Sequence, residues 1–299
     1  MKKGFTLVEL LVVIGILGIL SGVLITSLGG VGENAKTVKC ASNMKSLASA
    51  VNSASVAGGY PFAQSALYFQ VSGGSSLGVN YGVHKGWISG IDRNVSYPVS
   101  SEFSITPAHY DDNADDVQYA VTNGAIWNVV GKTRDVYICP AHLDASRKSR
   151  TASPGWSYVM NARFGYDSTP GKAACSSTAR YGASSVGRAD RTLLFAEIQL
   201  PGVLLDNADD SDHGRDTCLV CESLGDSYKE TIGFNHRQGK RIIGHVAFAD
   251  GHVEAITAPT KNNSGTDDPY AELTDWLCTG ADVVFRDGGY EEVKGTEVE

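Results

Sequence analysis

Apolar and polar positions divide the chain into three stretches of different pattern. From Leu10 to Leu28 there is no charged residue, and only Lys2, Lys3 and Glu9 carry charge before it. Residues 5–28 number 24. As one helix they would extend roughly 36 Å at about 1.5 Å per residue. That is enough to cross a bilayer core of about 30 Å. The Lys2–Lys3 pair would hold the amino terminus on the cytoplasmic side, so the rest of the chain would lie across the membrane.

A second pattern begins after Gly29, Gly30 and Gly32, which form a loosening point. Val38, Ala41, Met44, Ala48 and Val51 recur every three to four residues, with Lys36, Lys39, Asn43 and Lys45 on other faces. This spacing predicts an amphipathic helix with one apolar stripe. It should continue the first helix and stop at the Gly58–Gly59 pair.

The third stretch consists of short runs punctuated by turn residues. Tyr68–Val71, Trp87–Ile88 and Ile126–Val130 read as short strands or turns. Asp135–Cys139 reads as a strand stopped by Pro140, and Ser157–Asn161 and Thr192–Glu197 read as further strands. Gly244–Ile256 contains Asp250-Gly251 between alternating runs, the signature of a two-residue hairpin turn. That turn would set Phe248 opposite Val253 and Val246 opposite Ala255. The expected fold class is α+β: a long N-terminal transmembrane helix packed on a mainly antiparallel β-sheet domain.

Composition narrows the function classes. Lys plus Arg is 25 against 33 Asp plus Glu, a net charge of −8. An acidic chain lacks the cations that neutralise phosphates, so no nucleic-acid partner is expected. No Gly-x-Ser-x-Gly, Walker loop, His-Glu-x-x-His or dinucleotide fingerprint occurs, and the chain is read as a non-enzyme. The acidic runs 111–116 and 206–212 offer carboxylate oxygens of the kind that bind calcium, but neither has the EF-hand pattern, and solvated loops explain them better.

Glu9 is the anomaly in the apolar segment, because a carboxylate in a membrane helix is costly and asks for a partner. A cut after Gly4 would make Phe5 the new terminus. Its amino group, on a neighbouring copy, could neutralise Glu9. A secretory signal peptide is the competing explanation, but Glu9 interrupts its apolar region and no small-x-small cleavage site follows.

The ordered series Lys2, Lys3, Gly4, Phe5, Thr6, Leu7, Val8, Glu9 closely resembles the N-terminus of the type IV pilin and type II secretion pseudopilin superfamily. The resemblance implies cleavage between Gly4 and Phe5 by a prepilin peptidase, N-methylation of Phe5, and Glu9-dependent assembly. Its implied partners are that peptidase, other pilin or pseudopilin subunits, an inner-membrane assembly platform and membrane lipid. A pilin-like fold would then divide into a leader at 1–4, an assembly helix at 5–57 and a globular body at 58–299. The implied location is the inner membrane, single-pass, with the body in the periplasm or on a surface filament. The mid-helix proline of many pilins is absent; Gly15, Gly18 and Gly22 are the weak points instead.

The body resembles prepilin-type proteins with a processing-associated H-x9-DG region, here about 190–256. The matching residues are Cys40 with Asn43-Met44-Lys45, Cys139-Pro140, Ser157-Tyr158 with Asn161, Phe195-Ala196-Glu197, and Asn235-His236 leading to Asp250-Gly251-His252. Thirteen residues separate His236 from Asp250, more than the nine of that pattern.

Six cysteines, at 40, 139, 175, 218, 221 and 278, in an exported domain favour disulfides. Cys139 with Cys175, and Cys218 or Cys221 with Cys278, are the expected pairs, and Cys40 near the membrane is expected to stay free. The Cys218-x-x-Cys221 spacing also suits redox chemistry or zinc, which would need two more ligands. Asp250, His252, His236 and Glu197, with His245, are the candidate metal ligands, although His245 and His252 would stand too far apart on one hairpin to share an ion, and a polar network or turn explains the set better. No cofactor is expected, with calcium the alternative.

Overall fold

The computed structural model describes residues 6–28, 31–58, 60–61, 67–70, 81–84, 86–88, 118, 120–149, 155–161, 163–164, 186–198, 218–219, 231–260, 269–286 and 289–293. Helix α1 spans Leu7–Leu28 and α2 spans Val31–Gly58. The second helix thus ends at the glycine pair, as expected. Among the described residues no helix is long and apolar enough to cross a membrane. The transmembrane reading therefore rests on the sequence pattern alone.

On α2 the buried face is Cys40, Asn43, Met44, Leu47, Ala48 and Val51. This is a helical stripe shifted from the expected one: Val38 is 69% exposed, and Leu47 and Cys40 belong to the core. The reason is where packing begins. At Lys36 the helix is held by ion pairs to Glu33 and to Asp144, and from Cys40 onward it lies on the sheet. Each fully buried Leu or Met contributes roughly 1.5–3 kcal/mol. Two amides fix the helix further. Asn43 Nδ2 donates to the Asp135 and Ile138 carbonyls at 3.1 and 2.9 Å, and Asn52 Nδ2 donates to the Ala249 carbonyl at 2.9 Å.

A small antiparallel pair, β1 (Leu67–Gln70) with β2 (Tyr81–His84), covers the first expected strand. Ile126–Val130 takes the turn alternative: Val129 and Val130 both donate to the Ile126 carbonyl, at 2.9 and 3.0 Å. Asp135–Pro140 is a correction. Arg134–Tyr137 forms a 3-10 turn, and Pro140 opens helix α3, Pro140–Ser149. Proline's fixed φ suits the first helical position, so here it starts a helix instead of stopping a strand.

The main sheet contains β3 (Tyr158–Asn161), β4 (Leu193–Glu197), β5 (Cys218–Leu219), β6 (His236–Gln238), β7 (Arg241–Phe248) and β8 (Val253–Thr257). Among the described strands only β3 with β5 is parallel; the other pairings are antiparallel. Strand β7 is the axis. On one side it pairs with β8, and on the other with β6 along one half and β4 along the other. Helix α4, Pro269–Thr279, packs on β4, and a terminal hairpin, β9 (Val283–Arg286) with β10 (Gly289–Glu292), follows.

The β7–β8 turn has three residues, not two. Val246 pairs with Glu254 and Ala247 with Val253, one position away from the expected register. Gly251, at φ 89, donates to the Phe248 carbonyl at 2.8 Å, and Phe248 donates to the His252 carbonyl at 2.9 Å. A turn closed by a left-handed glycine is the three-residue hairpin with a bulge. The same Asp-Gly pair serves both turn types, so the dipeptide located the turn without fixing the register.

A close crossing of two glycines joins the halves of the β7 edge. A Cβ on Gly244 would lie 2.1 Å from the Gly233 carbonyl oxygen. Gly233 in turn donates to the Glu197 carbonyl at 2.8 Å. Gly244→Ala is therefore expected to destabilise the protein by about 1–3 kcal/mol through forced backbone shifts. Gly187→Ala, which meets nothing within 4 Å, serves as the tolerated control. Thermal denaturation of both variants checks this, and equal midpoints would refute it.

Candidate functional site

Glu197 ends β4 where β6 begins to pair with β7, and its carboxylate is fully buried. Five groups from four residues converge on it. The Cys40 thiol donates to Oε1 at 3.1 Å, and the His245 backbone N–H donates to the same atom at 3.1 Å. His245 Nδ1 lies 2.6 Å from Oε1 and His236 Nε2 lies 3.2 Å from it. Asn235 Nδ2 donates to Oε2 at 3.1 Å. The Cys139 sulfur stands 3.3 Å from His236 Nε2, and the Tyr158 hydroxyl donates to Cys40 Sγ at 3.4 Å. The rings of His236 and His245 meet edge to face with centroids 4.9 Å apart.

Charge within the cluster follows from these contacts. Burial alone would raise the Glu197 carboxyl, but the hydrogen bonds from His236 and His245 outweigh it and hold the group well below the usual carboxylate range. Burial pulls the His236 imidazole down, while Cys139 and Glu197 beside it carry it up to about 10. The hydrogen bond with Cys40 lowers the Cys139 thiol to about 6 against its burial, with His236 adding to the effect. Cys40 is pushed up by burial and by Cys139 and Glu197 nearby. The order thiol, imidazole, carboxylate resembles an activated nucleophile, but Cys139 is only 1% exposed, so its sulfur is not presented to solvent. His236 Nδ1 and Asn235 Oδ1 are buried with no hydrogen-bond partner among the described residues.

Four of these side chains have metal-ligand geometry. One ligand atom each from Cys40, Glu197, His236 and His245 lies within 4.8 Å of all the others. The sequence placed Glu197 and His236 in such a set, and the structure brings them together. Asp250 and His252 do not join them. They pair with each other at the β7–β8 hairpin tip, with His252 Nδ1 2.6 Å from Asp250 Oδ1 and the ring stacked on Phe248 at 4.4 Å. Asp250 Oδ1 also accepts the His252 backbone N–H at 2.9 Å, a turn-forming role.

His245, also in the expected set, joins Glu197 and His236. Cys40 is the member the sequence pattern does not single out, although it stands one turn before Met44 on the packed face.

Cys139, expected as half of a disulfide, is a buried thiol in the structure. The cause at Cys139 is local: its sulfur is engaged by Cys40 and His236, inside the core. Cys175, Cys221 and the acidic runs 111–116 and 206–212 lie outside the described residues, as do Gly4 and Phe5.

At the other end of the chain, Thr6 and Glu9 form a reciprocal cap. Glu9 Oε2 accepts from the Thr6 N–H and hydroxyl, both at 2.8 Å, and the Thr6 oxygen accepts the Glu9 N–H at 3.3 Å. The Thr-x-x-Glu spacing is a capping-box signature, legible in the sequence but not used there. Beyond it, every large apolar side chain from Leu7 to Leu20 is at least 45% exposed.

Comparison with known families places this end of the chain. The family model described as the prokaryotic N-terminal methylation motif matches residues 1–25. The chain therefore carries a prepilin-type N-terminus of the kind shared by type IV pilins and pseudopilins, and this supports a type IV pilin-like subunit. The motif implies processing by prepilin peptidase and assembly with other pilin subunits. No curated protein and no solved structure matches the chain.

Removing the Glu197 carboxylate should leave two imidazoles and a thiol without their common acceptor. Glu197→Ala is expected to cost about 3–5 kcal/mol, the range for breaking a buried ion pair. Asp250→Ala removes a half-exposed pair and is expected to cost about 1 kcal/mol or less. Denaturant melts of the two variants would reverse this order if the buried network were unimportant.

Proposed function

We propose that the chain is a structural subunit of a pseudopilus, assembled through its N-terminal helix by a type II secretion-like machine. The observation that carries this reading is the uncovered apolar surface of α1 directly behind the Thr6–Glu9 cap. That surface exceeds what a water-facing helix tolerates, and among the described residues nothing covers it. Lipid would cover it before assembly, and the helices of neighbouring subunits afterwards. On this reading the leader is removed between Gly4 and Phe5, Phe5 is N-methylated, and the body lies beyond the inner membrane as the exposed part of the filament.

A subunit of this kind has no need of a catalytic centre, and we read the chain as a structural, non-enzymatic subunit. The size of the body, with a sheet and several helices beyond the assembly helix, favours a specialised subunit. The alternative is a minor type IV pilus subunit in adhesion, motility or DNA uptake, or a membrane-tethered ligand-binding module. The body's H-x9-DG-like order, from Cys40 to His252, fits any of these.

Glu9 now has two separable roles, a cap within the chain and a counter-charge between chains. Glu9→Ala is expected to be cleaved normally, giving a mass that begins at N-methylated Phe5, yet to be lost from filaments. Thr6→Ala removes the hydroxyl of the cap and leaves the carboxylate, so it should still be incorporated. Equal loss in both variants would assign Glu9 to capping alone, and full incorporation of Glu9→Ala would refute the assembly role. Terminal mass analysis and shear-fraction blotting read these outcomes.

A further inference from the structure

We propose that Cys40, Glu197, His236 and His245 bind a structural zinc ion that clamps α2 to the sheet. The inference is independent of the filament reading, because it concerns only how the body holds its helix.

The four ligand atoms come from four elements. Cys40 is on α2, Glu197 closes β4, His236 opens β6 and His245 lies in the middle of β7. Each backbone position is fixed by helix or ladder hydrogen bonds, so the constellation is set before any ion arrives. Their atoms all lie within 4.8 Å of one another. In a tetrahedral zinc site, bond lengths of about 2.0–2.3 Å put ligand atoms about 3.3–3.6 Å apart. Here Glu197 Oε1 stands 3.1 Å from Cys40 Sγ, 3.2 Å from His236 Nε2 and 2.6 Å from His245 Nδ1. The carboxylate oxygen occupies the middle of the set. A small rotation of Glu197 would move it from centre to corner and open the position for the ion.

The donor types select the metal. One sulfur, two imidazole nitrogens and one carboxylate oxygen suit zinc, whereas calcium asks for six to eight oxygens. The charges also close. A divalent ion with a thiolate, a carboxylate and two neutral imidazoles sums to zero, which removes the electrostatic penalty of a buried net charge. No side chain of the four is more than 3% exposed, so no coordination position is left open to water. That is the form of a structural site, not a catalytic one. Outer contacts orient the ligands. Asn235 holds Glu197 Oε2, and Tyr158 donates to the Cys40 sulfur. Binding would release the thiol proton of Cys40 and any proton shared by the imidazoles to solvent; no redox change is involved.

The competing fate of this cluster is a disulfide between Cys40 and Cys139, whose side chains are hydrogen-bonded neighbours. The two fates exclude each other, because Cys40 cannot be both thiolate ligand and bridge.

The test uses the full chain, purified in detergent from its own membranes without chelator and again after equilibration with zinc chloride under reducing conditions. About one zinc per chain is expected by elemental analysis, as for a closed four-ligand site. Replacing it with cobalt should give the visible bands of a tetrahedral ion and a thiolate charge-transfer band. Cys40→Ser should abolish the latter, His245→Gln should lower metal content more than about tenfold, and Asp250→Ala at the hairpin tip should change neither. Unsubstituted protein keeps the proposal falsifiable if the variants misfold. Chelator should lower its thermal midpoint, and added zinc should restore it. The proposal is overturned by metal content below about a tenth of an equivalent after reconstitution, by a midpoint indifferent to chelator, by full zinc retention in Cys40→Ser and His245→Gln, or by a Cys40–Cys139 bridge in peptide maps of the native protein.

Discussion

A carboxylate with no access to water must be answered by donors placed around it in advance. Glu197 is that group here, and the body is arranged so that the answer comes from every side: a thiol from the helix, imidazoles from β6 and β7, an amide from Asn235. Leaving such a group unpaired costs several kcal/mol, a large share of the 5–15 kcal/mol by which a domain is stable. The position of α2 is therefore constrained by more than its apolar stripe. Cys40 must face Glu197, which sets the register of the helix against the sheet.

The sheet meets this demand through its connections. Strand β7 carries β4 and β6 end to end along one side, so the end of β4 and the start of β6 arrive at the same point. The crossing of Gly233 and Gly244 allows the backbones to approach closely enough for this. The β6–β7 connection is a tight turn with Gly239 at φ 63, which holds His236 opposite Ile243. Two permissive glycines and a two-residue turn thus place three of the polar side chains.

The strands from Ser157, from Thr192 and on both sides of Asp250-Gly251 were legible because buried β-branched and aromatic runs have few alternatives. The same holds for α2, whose period and glycine stop are unambiguous. Three things were not legible, each for a stated reason. Pro140 is compatible with stopping a strand or starting a helix, and only the preceding 3-10 turn decides between them. Asp-Gly suits a two- or three-residue hairpin, and a one-residue slip exchanges the faces of a strand. Most of the candidate site was visible: Glu197, His236 and His245 were named, but Cys40, contributed by a helix 157 positions away, leaves no local pattern. Likewise Cys139 was read as a bridge partner, because cysteine count carries no information on which sulfurs face carboxylates.

The two asparagines of α2 have a mechanical consequence. Asn43 and Asn52 are nine positions apart, roughly 13 Å along the axis, and each grips backbone carbonyls of a different part of the body. An apolar stripe alone tolerates slippage, since one greasy contact replaces another at little cost. Directional amides do not. Rotation of α2 about its own axis would break both grips together, so helix and sheet turn as one piece. The azimuth of the body around its helix is therefore set by two carboxamides, and any torque applied to the helix is delivered undiminished to the sheet.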